Sequence, residues 1–98
     1  MTTEEFIIEL FCRVDAVMLD VSKTGQAHLY PSEVVTLGLL FALKGSGNRA
    51  FYRWLKREYH AWFPRLPERT RLFRLFNEHR HWTQRLMVAP SLIGLIDT

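Results

Sequence analysis

Arg49, Arg53, Lys56 and Arg57, with His60 beyond them, recur at i, i+4, i+7, i+8 and i+11. On an α-helix this spacing gathers the cations into one ridge, the kind of surface that neutralises the phosphates of a nucleic acid. Arg69, Arg71 and Arg74 follow in the first turns of a second helical pattern, and Arg80 lies further along it as another candidate DNA contact. Two consecutive helices joined by a short turn, with bases early in the second, match the way a helix-turn-helix presents its recognition helix to the major groove. Arg69, Arg71 and Arg74 are then expected nearest the base edges, while Arg49, Arg53, Lys56 and Arg57 are expected on phosphates. Basic side chains on a helix face can also serve solubility alone. Against that reading, few acids interleave with these bases.

Other chemistry is thinner. His79 and His81 stand two apart, about 200° around a helix, which does not let them chelate one metal. His28 and His60 have no neighbouring ligand types, so no metal site is expected. Cys12 borders the apolar stripe of the first helical pattern and is expected to be a small buried hydrophobe rather than a nucleophile. Trp54, Trp62, Trp82 and the seven phenylalanines could stack on unpaired bases, but their helical spacing points to core packing. No glycine-rich phosphate loop, paired carboxylates or serine-histidine-aspartate set occurs. Asp97 ends a short apolar run, as the first metal ligand does in many metal-dependent nucleotidyl transferases. Such a two-metal site needs further converging acids.

The elements that must position these groups are helical. Thr2 and Glu5 suggest a capping box, and Phe6, Ile7, Leu10, Phe11, Val14, Val17, Met18 and Val21 form an apolar stripe, predicting a helix over residues 3–21. Residues 22–29 read as a loop. Pro31 and Glu33 open a second helix that is apolar nearly all round from Val34 to Leu43, as befits the centre of a bundle. Gly45-Ser46-Gly47 ends it, and Asn48 is a suitable N-cap for a third helix over about 48–61. Phe51, Trp54, Leu55, Tyr59 and Trp62 are its inner stripe. Pro64 and Pro67 bracket a turn into a fourth pattern with Leu72, Phe73, Phe76, His79, Trp82 and Leu86 facing inward. The pattern leaves open whether residues 67–88 form one helix or break near His79-Arg80-His81. Residues 91–98, mostly apolar after Ala89-Pro90, read as a buried strand. The expected fold is all-α: a small bundle of four to five helices with a helix-turn-helix-like pair and a short strand-like C-terminal tail.

At 98 residues the chain accommodates one domain. It is 48% hydrophobic and 23% charged, a globular rather than disordered profile. The single cysteine excludes an internal disulfide framework. The acidic N-terminus and the absence of a long apolar run argue against export or membrane spanning, leaving a cytoplasmic protein as the expectation. The net charge of +3 conceals a division: residues 1–43 sum to −4, whereas residues 44–98 carry eleven bases and sum to +7. That asymmetry favours a polyanionic partner for the second half. Nucleic acid is the first candidate, an anionic membrane surface the weaker second.

The stretches 29–37 (LYPSEVVTL), 42–54 (ALKGSGNRAFYRW), 66–75 (LPERTRLFRL) and 94–98 (GLIDT) resemble the N-terminal region of bacterial insertion-sequence transposases of the DDE class, over essentially the whole chain. The resemblance implies a helical DNA-binding region, here residues 1–90, preceding a ribonuclease-H-like catalytic domain of which residues 91–98 would be the first strand. It also implies that three acids hold divalent metal, magnesium, in an intact member. Asp97 matches the first acid; the second aspartate and the glutamate have no counterpart in this sequence. The expectation is therefore a module that binds transposon-end duplex DNA but is not an enzyme by itself, has no cofactor or small-molecule substrate of its own, and is either a natural truncated frame or a fragment. The alternative is a protein-interaction or oligomerisation module, with a homodimer possible through the unpaired tail.

Overall fold

The computed structural model describes residues 2–19 and 29–96, all-helical and without a strand among them. Six helices follow one another: α1 (Thr3–Val17), α2 (Pro31–Lys44), α3 (Asn48–Tyr59), α4 (Arg69–Glu78), α5 (Arg80–Met87) and α6 (Pro90–Ile96). The loop expected at 22–29 lies almost wholly outside the described residues, as do Val21 and Asp97.

Helix α1 starts where the Thr2 hydroxyl accepts a hydrogen bond from the Glu5 amide at 3.1 Å, with Glu4 and Glu5 at the positive end of the helix dipole. It buries Ile7, Leu10 and Val14 and ends at Val17, earlier than the periodicity suggested. Cys12 is exposed, not buried: five residues beyond Ile7 on a helix of 3.6 residues per turn, it has rotated off the inner stripe.

Helix α2 is the core. Its residues from Val34 to Leu40 are buried without interruption, so it has no polar face to give to water. Within that run the Thr36 hydroxyl donates to the Ser32 carbonyl at 2.7 Å, which removes the cost of burying it unpaired. At the start of α2 the Glu33 carboxylate accepts from the Tyr30 amide at 2.8 Å. Its end is Gly45, whose φ of 70° is the left-handed cap conformation that glycine adopts without steric cost. The helix packs against α1, α4 and α5, while α3 packs on α4 and α6 lies against α1 and α5.

Aromatic rings join α2, α3 and α4. Phe41 meets Phe51 at 5.2 Å and Phe73 at 4.9 Å edge-on, and Phe73 meets Phe76 at 5.0 Å, the arrangement ring quadrupoles favour. Phe51, Leu55 and Tyr59 anchor α3, and Trp54 packs against Phe51 and Tyr59. Most of these aromatics are therefore core. Trp62 is 40% exposed, because α3 stops at Tyr59 and the stripe does not reach it.

Residues 67–96 close one open question and correct one expectation. The fourth pattern breaks at His79, whose amide and ring Nδ1–H both donate to the Leu75 carbonyl, at 3.1 and 3.0 Å; its own carbonyl then receives the Trp82 amide of the next helix. The expected strand-like tail is instead helix α6. Pro90 supplies the fixed φ suited to a first helical position, and Leu92 and Leu95, three apart, are only 1% and 4% exposed. An apolar run this short satisfies a strand and a helix alike, and the α1–α5 surface selects the helix. The bundle thus continues to Ile96 rather than stopping at residue 90, and no unpaired strand is left there to recruit a second copy. Asn48 is the first residue of α3, not its N-cap, a position taken by Gly47. No described helix is long and apolar enough to cross a membrane.

Candidate nucleic-acid interface

Helix α3 is anchored by Phe51, Leu55 and Tyr59, and that choice alone turns Arg49, Arg53, Lys56 and Arg57 to solvent on the other side. The turn 60–68 then returns the chain so that the start of α4 lies beside this ridge. Arg49, Tyr52, Arg53, Lys56, Arg57 and Arg69 line one open groove of about 570 Å³. Its five cations face few acids. Arg57 Nε lies 3.0 Å from Glu58 Oε1, but both side chains are at least half exposed, and such a pair contributes little. Arg49, Arg53, Lys56 and Arg69 make no ion pair among the described residues.

Tyr52 fastens the groove. Its hydroxyl donates to the Pro67 carbonyl at 2.7 Å, tying α3 to the chain two residues before α4 and fixing where Arg69 emerges. Lys56 Nζ sits 5.9 Å above the same ring, within reach of a weak cation–π attraction. Burial, and secondarily the Glu68 carboxylate, push the Tyr52 hydroxyl above its ordinary pKa.

Arg71 does not join the groove. It lines a second concavity of about 610 Å³ with Arg65, Leu66, Pro67 and Glu68 of the same turn. The Glu68 carboxylate tempers the charge there. Arg74 is exposed on α4 and borders neither concavity. Arg80 lies in a separate groove of about 540 Å³ formed by residues of α2, α4 and α5 with Asn48 of α3. Of the eight candidate DNA contacts, five are brought together, Arg71 lines the second concavity, and Arg74 and Arg80 stand apart. Asp97 lies outside the described residues, and among those residues no group of three or more His, Cys, Asp and Glu is arranged to hold a metal ion.

The first turn of α4 carries Arg69 and Arg71 and no acid. Cations at the positive end of a helix dipole are unfavourable by about 0.3–1 kcal/mol each at an exposed site. The same placement adds the dipole to the side-chain charge and makes this corner of the molecule attractive to anions. Sequence reading missed Tyr52 and Arg65. Tyr52 falls between Arg49 and Lys56 at helical spacing, so its place on the ridge was available; its bond to Pro67 was not.

Comparison of the chain with family models, with characterised proteins and with solved structures gave no match.

Proposed function

We propose that this chain binds double-stranded DNA, with the α3–α4 groove on the phosphate backbone and the first turns of α4 toward the major groove. The observation that carries the reading is the convergence of Arg49, Arg53, Lys56, Arg57 and Arg69 on one groove with a single exposed acid pairing among them. On the transposase resemblance, the target is the end of an insertion element, bound without any reaction assigned to this chain. Phosphate contacts supply affinity and register, and Arg71 and Arg74 on α4 supply whatever sequence preference exists.

Five phosphate contacts on B-form DNA correspond to a slope of about −4.5 in log affinity against log salt. Affinity is therefore expected to fall about 500-fold between 50 and 200 mM salt. Fluorescence anisotropy with a labelled duplex measures this directly. Absence of binding at 50 mM salt, or a slope near zero, refutes the reading.

A second reading, a protein-interaction module, has the exposed Ile8, Val17 and Leu19 in its favour. Light scattering on the purified chain separates the two: self-association that Ile8→Glu abolishes, together with absence of duplex binding, selects the second.

A further inference from the structure

The groove that holds Arg80 has a composition unlike the cationic one. Phe73 and Phe76, both half-buried, line it together with Phe41 and Met87. Beside them Gly38 of α2 contributes backbone only; a Cβ there would stand 3.4 Å from Thr83 Oγ1 and 3.7 Å from Phe76 Cδ1, so the absent side chain keeps this end of the groove open. Along the wall, Asn77, Arg80 and Gln84 follow one another at steps of three and four across the α4–α5 junction. All three are exposed, and their side chains make no hydrogen bond or ion pair with other described residues. At about 540 Å³ the groove is within the range of ligand pockets, which pair an apolar base with a few convergent polar groups.

The chemistry of these groups is specific. Aromatic side chains accept the flat face of a heterocycle. Asparagine and glutamine present a donor and an acceptor in one plane, the complement of the adenine edge. Arginine pairs with a phosphate through two parallel N–H donors. An apolar ligand would leave the amides idle, and a simple anion would leave the phenylalanines idle. A nucleotide uses all of them.

We propose that the groove between α2, α4 and α5 binds an unpaired nucleotide of a DNA strand, with its base, preferably adenine, stacked on one of Phe73 and Phe76 and edge-on to the other, the two rings standing at 74°. Asn77 and Gln84 hold the base edge and Arg80 holds the phosphate. The site shares no residue with the α3–α4 groove, so it stands or falls separately from duplex binding.

The test uses the full chain labelled with ¹⁵N and four probes: adenosine monophosphate, cytidine monophosphate, inorganic phosphate, and a duplex carrying a single unpaired adenine compared with the same duplex blunt-ended. Adenosine monophosphate is expected to shift the side-chain amides of Asn77 and Gln84, and to bind at least fivefold more tightly than cytidine monophosphate. Arg80→Ala is expected to weaken it about tenfold. Gln84→Ala is expected to remove the adenine preference while leaving blunt-duplex affinity unchanged, since this exposed side chain lies outside the α3–α4 groove. The overhanging duplex is expected to exceed the blunt one by about tenfold in the wild type only. The proposal is overturned if nucleotides leave these amides unmoved, if inorganic phosphate binds as tightly as the nucleotide, or if only the free nucleotide binds and the overhang adds nothing. Loss of blunt-duplex binding with the nucleotide effects intact removes the duplex reading and not this one.

Discussion

Tyr52 concentrates the residue-scale consequences, because one hydroxyl connects two helices and borders the cationic groove. Tyr52→Phe removes the donor to the Pro67 carbonyl and is expected to lower stability by about 1 kcal/mol, measured by urea denaturation. The titration has a definite sign. Because the folded-state pKa of Tyr52 is raised above 10.0, its contribution is fully present below pH 10 and is lost as pH rises through the folded value, where the phenolate would face the carbonyl it once bonded. Stability measured from pH 9 upward is expected to fall less steeply in Tyr52→Phe than in the wild type. Arg71 tests a different balance. In the first turn of α4 an acid suits the dipole better than a cation, so Arg71→Glu is expected to raise stability by about 0.3–1 kcal/mol while weakening duplex binding. A variant that is less stable and binds equally well would contradict both halves of that expectation.

Helix α4 has one fully buried side chain, Leu72, with Phe73, Leu75 and Phe76 half-buried around it. Leu72→Ala is expected to cost about 2–5 kcal/mol and to release α4 first, visible as faster amide exchange in residues 69–78 than in α2. Where α5 approaches α2, Gly38 sets the spacing. Gly38→Ala meets Thr83 at an ordinary contact distance, and the gain in helix propensity of about 1 kcal/mol offsets the crowding. Gly38→Leu has no such room and is expected to cost about 1–3 kcal/mol, with α5 displaced; a thermal melt of the two variants distinguishes them. The element boundaries were the least legible part of the sequence. The pattern leaves open one helix or a break near His79, and the break is where the His79 backbone, at φ −104° and ψ 16°, leaves the helical region and caps both α4 and α5.

Across the whole molecule the division of charge follows the order of the helices. The acids of α1 and the bases of α3 and α4 sit on different helices, with the apolar α2 packed against α1 and α4. The paired substitution Arg53→Ala and Arg57→Ala removes two groove cations at exposed sites. It is expected to leave the fold intact, to weaken binding to all duplexes alike, and to reduce the salt slope by about 2. The tail shows the limit of local reading at this scale. Leu92 and Leu95 are buried where α6 lies against α1 and α5, so truncating either to alanine is expected to cost about 2–5 kcal/mol.

By itself the sequence determined the helical class, the central position of α2, the inner anchors of α3, and the existence of a cationic ridge. Each of these follows from the repeat of side chains around a single helix, which is a property of neighbours in the chain. It also carried the charge division, a matter of counting. Only the tertiary structure decided which arginines share a groove, because Arg69 joins Arg49 through a turn whose path depends on the Tyr52–Pro67 bond. The same holds for the break at His79, the helical form of residues 90–96, and the separate groove that Arg80 shares with Asn77 and Gln84. In each case the local pattern allowed more than one arrangement, and contact between elements distant in sequence chose between them.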